Sequence, residues 1–266
     1  MEQPKNNFKI VSDKKARMLL PNTLTLINVC IGLSSIKFAL DEKFELSIIA
    51  IIFAAIFDAL DGRVARMLKG TSLVGKELDS LADLISFGVA PAFIMYFWKL
   101  NTLGRFGWLL CLVFVICVAL RLARFNINSN HEPSWRDNFF EGVPSPAGGI
   151  LVLTPLIISL SGFDFFQLNY DIIVPIFFVT TSFLLISKFP SYSFKKIVIR
   201  RRTTIFLLFG IVLFFGLLLV YTFNVIAISA IVYLLLLPIS YVHYQKIKNK
   251  HEKDKIQDED DLEDVL

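Results

Sequence analysis

Charged residues are scarce in this sequence of 266 residues, of which 19% are charged and 55% are hydrophobic. Soluble domains average about 25% charged and about 45–50% apolar residues. The mean hydropathy of +0.62 and the 26 Phe residues exclude a disordered chain and argue strongly against a soluble globular domain. A chain of this composition has room for several membrane helices of about 20 residues each.

Cysteine and histidine are also rare, with three residues of each. Cys30, Cys111 and Cys117 lie inside apolar runs, where a free cysteine behaves as a small hydrophobic residue. The sequence has no CxxC spacing, and its histidines form no cluster. These absences exclude a disulfide scaffold and argue against a zinc site. We also expect no nucleic-acid partner.

Eight apolar runs predict eight transmembrane helices. The predicted fold class is therefore all-α, a polytopic membrane helix bundle. The predicted spans are 22–40, 44–62, 78–98, 104–125, 144–162, 168–187, 204–222 and 225–244.

The basic residues are concentrated in alternate connections between the predicted spans and in the two terminal segments. Of its 27 Lys and Arg residues, all but four fall in the leader, at or after the ends of the even-numbered spans, or in the tail. The four exceptions are Lys37, Lys43, Lys99 and Arg105. Because cytoplasmic segments carry the excess of Lys and Arg, the pattern predicts that both termini are cytoplasmic.

The spans and charges divide the chain into four predicted segments. Residues 1–20 form a basic cytoplasmic leader, and residues 21–187 form the main membrane domain. Residues 188–245 supply two additional transmembrane helices and a basic cytoplasmic loop. Residues 246–266 form a charged cytoplasmic tail, for which blocks of like charge predict disorder.

Four aspartates interrupt the apolar runs. Asp58 and Asp61 end the second span, and Asp79 and Asp83 open the third. On helices each pair shares one face, and the short connection predicts antiparallel neighbours whose four carboxylates converge. Charges at membrane depth are costly and normally pair or mark function. Pairing with the basic residues of the loop explains one such aspartate better than it explains four.

Converging carboxylates repel one another and therefore need a compensating cation. Hard oxygen ligands favour Mg²⁺ or Mn²⁺. The nearby Arg63, Arg66, Lys69 and Lys76 supply positive charge that suits a phosphate group. The pattern predicts a site for metal ions and a phosphate-bearing substrate.

The stretch Asp58-x2-Asp61-Gly62-x2-Ala65-Arg66-x8-Gly75-x3-Asp79-x3-Asp83 resembles the complete motif of the CDP-alcohol phosphatidyltransferase family. The resemblance implies an enzyme that binds two divalent ions, Mg²⁺ or Mn²⁺, through these four aspartates. It implies that Asp83 is also the general base, and that the active protein is a homodimer. The residues that it implies for binding CDP-diacylglycerol are Asn22, Thr25, Gly62, Arg66 and Ser72. For Asn22, capping of the first helix is an alternative role.

Three further stretches, 80–92, 120–126 and 140–147, resemble the phosphatidylserine synthase branch of this family. The resemblance implies that L-serine is the acceptor and that the products are phosphatidylserine and CMP. Glycerol 3-phosphate, an inositol phosphate and choline stay open as acceptors. Arg121 and Arg124 are candidates for binding the acceptor or a phosphate, with snorkelling to the cytoplasmic surface as the alternative.

The expected location is the inner cell membrane, with the active site facing the cytoplasm. A cation-coupled transporter is a remote alternative, because acids within the membrane also mark ion pathways. Many transporters are built from internal repeats, and this sequence shows none.

Overall fold

Helices dominate the computed structural model, which describes residues 13–68, 72–128, 139–162, 169–192 and 201–263. The helices before residue 130 are α1 (Asp13–Leu40), α2 (Phe44–Met67), α3 (Leu73–Asp83), α4 (Ala90–Trp98) and α5 (Arg105–Asn128). The later helices are α6 (Ser145–Leu160), α7 (Tyr170–Ile186), α8 (Arg201–Val220) and α9 (Thr222–Glu263). Two short strands are β1 (Phe139–Glu141) and β2 (Pro190–Tyr192).

Each predicted span overlaps a helix, and the all-α class is confirmed, with one small sheet added. Four helical stretches of the described chain are long and apolar enough to cross a membrane: Leu19–Leu40, Leu73–Trp98, Arg105–Ile127 and Thr222–Ile247. Helix α2 has 24 residues, but Asp58 and Asp61 interrupt its apolar sequence. Eight membrane crossings and cytoplasmic termini stay predictions.

The chain divides into two compact units, residues 1–122 and 123–266. In the first unit α1 packs along α2 and also against α3 and α4. The short connection between α1 and α2 makes them antiparallel, and the Ser47 hydroxyl donates to the backbone carbonyl of Ser35 across the pair. Fully buried Ile48 and Ile51 belong to the core of this unit.

Helices α3 and α4 are continuous through a π-helical turn, Leu84–Val89. Such wide turns occur frequently at functional sites. Helix α1 lies very close to the π-helical turn, since a Cβ added at Gly32 would be 2.4 Å from Ser86 Oγ and 3.0 Å from Ser86 Cα. Only glycine permits this approach. Ser86 Oγ also donates to the carbonyl oxygen of Asn28, at 3.2 Å.

In the second unit, β1 and β2 form an antiparallel pair in which Phe140 is opposite Ser191. The pair joins the chain before α6 to the chain after α7. Gly142 follows β1 with a φ of +77°, and its carbonyl oxygen accepts a 2.9 Å hydrogen bond from Ser191 Oγ. Strands of three residues are too short to show the alternation that predicts a strand, which explains why the sequence did not indicate them.

Helix α6 packs against α7 and α9 around the buried residues Val143, Leu151, Ala230 and Leu237. Helix α8 packs against α9 and leaves most of its large apolar side chains exposed. Exposed apolar surface of this extent is typical of contact with a membrane or a partner.

The structure differs from two sequence-based expectations about helix ends. Helix α9 continues to Glu263, so residues 246–263 are helical where the sequence predicted disorder; this stretch has no Gly or Pro, and its Lys, Glu and Gln residues favour helix. Helix α1 begins at Asp13, so Asn22 lies inside the helix and does not cap it. Residues 1–12 of the predicted leader and 264–266 of the tail lie outside the described residues, and the predicted segment boundaries stay predictions.

The Gly32→Ala variant tests the close approach of α1 to the π-helical turn. The added methyl group would overlap Ser86 Oγ, and overpacking of this kind costs about 1–3 kcal/mol. We expect a lower unfolding temperature in detergent solution, with partial recovery in the double variant Gly32→Ala with Ser86→Gly. Gly210→Ala in α8 is the matched control, because an added Cβ there meets no atom within 4 Å. Equal unfolding temperatures for the two single variants would contradict the packing described.

Candidate active site

Three of the four predicted aspartates form a compact cluster. Asp58 and Asp61 lie one turn apart on α2, and α3 places Asp79 beside them. One carboxylate oxygen from each of the three residues lies within 4.8 Å of the other two. Carboxylates at such separations repel one another strongly when ionised.

Asp83 completes the group. It lies one turn after Asp79 on α3, and its carboxyl group is within hydrogen-bonding reach of Asp58. The π-helical turn begins at the next residue, Leu84. The structure thus brings together all four carboxylates that the sequence singled out.

The chemistry of these donors fits a hard divalent cation. All are carboxylate oxygens, the ligand type that Mg²⁺ and Mn²⁺ prefer. Mg²⁺ binds oxygen at about 2.0–2.1 Å, so two ligands on opposite sides of the ion are about 4 Å apart. The spacing within the Asp58, Asp61 and Asp79 cluster is close to this size.

Thr25 of α1 holds one member of the cluster in place. Its Oγ1 donates to Asp61 Oδ2 at 2.7 Å, and both side chains are buried, at 4% and 3% exposure. This hydrogen bond ties the Asp61 carboxylate of α2 to α1. The sequence predicted Thr25 as a substrate contact only, because contacts between distant helices are not visible in it.

A cleft of about 470 Å³ opens beside the cluster. All five residues predicted to bind CDP-diacylglycerol line it, together with Asp61 and Asp79. The full lining is Pro21, Asn22, Thr25, Asp61, Gly62, Ala65, Arg66, Ser72, Leu73, Gly75, Lys76 and Asp79. Its volume is within the range of small-ligand sites, about 300–1,000 Å³, and two basic residues and two aspartates are among its lining residues.

The first turn of α3 is fitted closely to α1. A Cβ added at Gly75 would lie 2.9 Å from Asn22 Oδ1 and 3.1 Å from Ser72 Oγ. Ser72 caps the helix, since its Oγ accepts a 2.9 Å hydrogen bond from the Gly75 amide. The glycine therefore leaves room for two polar side chains at the edge of the cleft.

The two predicted arginines lie on α5. Arg121 is buried, at 8% exposure, which snorkelling to the surface does not explain. Arg124 Nη1 donates to the carbonyl oxygen of Ile186 at 2.7 Å, at the C-terminal end of α7, where a cation is favourable. This contact gives Arg124 a structural role that the sequence did not predict. A role for either residue in binding the acceptor stays a prediction.

Comparison with known proteins agrees with the geometry of the site. A sequence model described as CDP-alcohol phosphatidyltransferase matches residues 18–184, which include the cleft and all four aspartates. The chain belongs to the CDP-alcohol phosphatidyltransferase family. This family depends in general on divalent metal ions, and the aspartate cluster lies within the matched region.

Relatives within this family carry the name CDP-diacylglycerol–serine O-phosphatidyltransferase. The protein from Mycobacterium leprae is 43% identical over 176 residues, which are 65% of this chain and 57% of that protein. The protein from Helicobacter pylori is 37% identical over 179 residues, 67% of this chain and 74% of that protein. The Bacillus subtilis protein is 35% identical over 177 residues, 66% of this chain and 92% of that protein. The chain therefore matches little more than half the length of the mycobacterial relative.

The Thr25→Val variant tests the support of Asp61. It removes the hydroxyl donor with little change of shape, and loss of a hydrogen bond to a metal ligand commonly lowers metal affinity about 10–100-fold. We expect a loss of this size for Mn²⁺, measured without lipid from the electron paramagnetic resonance signal of free Mn²⁺. Thr23→Val is the matched control, because the exposed Thr23 hydroxyl donates to the Leu19 carbonyl of its own helix. Equal Mn²⁺ affinities in the two variants would contradict the role of Thr25.

Proposed function

We propose that the chain is an integral-membrane enzyme that transfers the phosphatidyl group of CDP-diacylglycerol to the hydroxyl of L-serine, giving phosphatidylserine and CMP. The observation that best supports this proposal is that the carboxylate cluster lies beside a cleft lined by the residues predicted to bind CDP-diacylglycerol. Serine as the acceptor is supported by the names of the relatives and by the three stretches that resemble the phosphatidylserine synthase branch.

The four aspartates, Asp58, Asp61, Asp79 and Asp83, hold two divalent ions, Mg²⁺ or Mn²⁺. When bound, such ions neutralise the pyrophosphate and stabilise the charge that develops on the leaving phosphate. Thr25 fixes the orientation of Asp61 through its 2.7 Å hydrogen bond, so one ligand is preorganised before any substrate binds.

The CDP moiety occupies the cleft. Arg66 and Lys76 line it and supply positive charge to the pyrophosphate. Asn22 and Ser72 present an amide and a hydroxyl at its edge for the polar atoms of the nucleotide. Gly62 has no side chain, so the substrate can approach the backbone of α2 next to Asp61.

Asp83 acts as the general base. The serine hydroxyl oxygen attacks the phosphorus that bears the diacylglycerol, and a new oxygen–phosphorus bond forms. The bond from this phosphorus to the bridging oxygen breaks, and CMP leaves with that oxygen. The hydroxyl proton passes to the Asp83 carboxylate, and a positioned base of this kind contributes about 10²–10⁴-fold to the rate.

The enzyme works in the inner cell membrane as a homodimer, with its active site open to the cytoplasm. The apolar helices support a membrane location, and the distribution of Lys and Arg in the sequence supports the orientation. With the site at the cytoplasmic interface, the acyl chains of the donor stay in lipid while a water-soluble acceptor enters from the cytoplasm.

An acceptor competition tests the choice of alcohol. Purified protein receives CDP-diacylglycerol in mixed micelles, Mn²⁺ and one labelled acceptor at a time: serine, glycerol 3-phosphate, inositol phosphate or choline. We expect labelled lipid and stoichiometric CMP from serine. Labelled lipid from another acceptor but not from serine would overturn the serine assignment and keep the reaction class. Absence of CMP release with every acceptor would overturn the reaction class itself.

Substitution of the aspartates tests their roles. Asp61→Asn and Asp79→Asn each remove a charged ligand, and we expect CMP release to fall at least about 100-fold. Asp83→Asn should reduce kcat about 10²–10⁴-fold and leave CDP-diacylglycerol binding, measured by calorimetry, largely intact. The control is Glu77→Gln, which changes an exposed acid on the same helix.

Two results would contradict these roles. Near-normal CMP release from Asp61→Asn or Asp79→Asn would remove that residue from the ligand set. Loss of lipid binding in Asp83→Asn would replace its role as a base with a role in holding the site together.

A further inference from the structure

Asn28 has an unusual environment on α1. Its side chain is completely buried, and neither Nδ2 nor Oδ1 has a hydrogen-bond partner within the described residues. A buried amide without partners costs free energy, so such groups are normally satisfied in native proteins. The side chain therefore needs a polar partner that the described residues do not supply.

The register of α1 and α2 places Asn28 beside the carboxylates. Thr25 bonds to Asp61 across the antiparallel pair. Three residues further along α1 is Asn28, and three residues back along α2 is Asp58. Since the two helices run in opposite directions at the same rise per residue, Asn28 lies level with Asp58.

A contact with the π-helical turn also places Asn28 near the carboxylates. The Ser86 hydroxyl, on the π-helical turn, donates to the carbonyl oxygen of Asn28. Ser86 follows Asp83 by three residues, which is less than one helical turn. Asn28 is thus close in height to both members of the Asp58–Asp83 pair, whereas Asn22 lines the cleft.

The chemistry of metal-binding carboxylates indicates a partner for the Asn28 side-chain amide. A carboxylate that binds an ion through one oxygen is held in position by a hydrogen-bond donor on its other oxygen. Thr25 provides that donor for Asp61, and the Asn28 amide is a donor one turn further along the same face of α1. We propose that Asn28 is a positioning residue, whose Nδ2 donates to the Asp58–Asp83 carboxylates when the metal ions are bound. This inference rests on the metal site of the proposed function.

The Asn28→Leu variant separates this role from a structural one. Leucine has a similar shape and no polar atoms, and replacing an unpaired buried amide by an apolar group is neutral or stabilising. Without metal we therefore expect an unfolding temperature equal to or above that of the wild type. We expect Mn²⁺ affinity, measured by calorimetry without substrates, to fall about 10-fold or more. The rise in unfolding temperature on adding Mn²⁺ should shrink accordingly.

Asn101→Leu is the matched control, because it makes the same change at an exposed asparagine between α4 and α5. Its Mn²⁺ affinity should equal that of the wild type, since Asn101 lies outside the carboxylate cluster and the cleft.

Three results would overturn the inference. A lower unfolding temperature of metal-free Asn28→Leu with unchanged Mn²⁺ affinity would show a purely structural amide. Unchanged Mn²⁺ affinity with a raised KM for the acceptor would instead show direct contact with that substrate. If the wild-type protein binds no Mn²⁺, the metal site of the proposed function fails and this inference fails with it. Use of an acceptor other than serine would affect only the serine assignment.

Discussion

The repulsion between carboxylates held close together is the constraint on which the rest of the site depends. Asp58, Asp61 and Asp79 present oxygens within 4.8 Å of one another, and Asp83 lies beside Asp58. In a chain this apolar, such a cluster is costly unless cations compensate it. The fold therefore has to supply both the rigidity that holds the acids together and a place for the positive charge.

Helix α1 supplies much of that rigidity, although it contributes none of the four acids. It packs against α2, α3 and α4, and it meets them at points where side chains are very small or hydrogen-bonded. The absence of a side chain at Gly32 leaves room for the π-helical turn, and its absence at Gly75 leaves room for the Asn22 side chain. The Thr25 hydroxyl donates a hydrogen bond to Asp61. A single helix thus lines the cleft and also fixes the position of Asp61 in the carboxylate cluster.

The helices and the clustering of the aspartates could be predicted from the sequence, because both follow from local patterns. Apolar runs set where helices form, and the spacing of Asp58 with Asp61 and of Asp79 with Asp83 sets their shared faces. Contacts between distant parts of the chain were not predictable in this way. The bond from Arg124 to Ile186 and the pairing of β1 with β2 depend on tertiary packing, which no local pattern records. The helix over residues 246–263 was not predicted, because blocks of like charge favoured disorder and were given more weight than the helix propensity of the Lys, Glu and Gln residues.

The metal site that we propose consists of these carboxylates, next to the cleft that we propose holds the nucleotide. Crystals of the protein grown with Mn²⁺ and CDP-diacylglycerol test it most directly, through the anomalous scattering of manganese. If the four aspartates hold two ions, we expect two anomalous peaks among the Asp58, Asp61, Asp79 and Asp83 carboxylates, with the pyrophosphate beside them in the cleft. Manganese peaks elsewhere with none among these residues, while the lipid is bound, would contradict it.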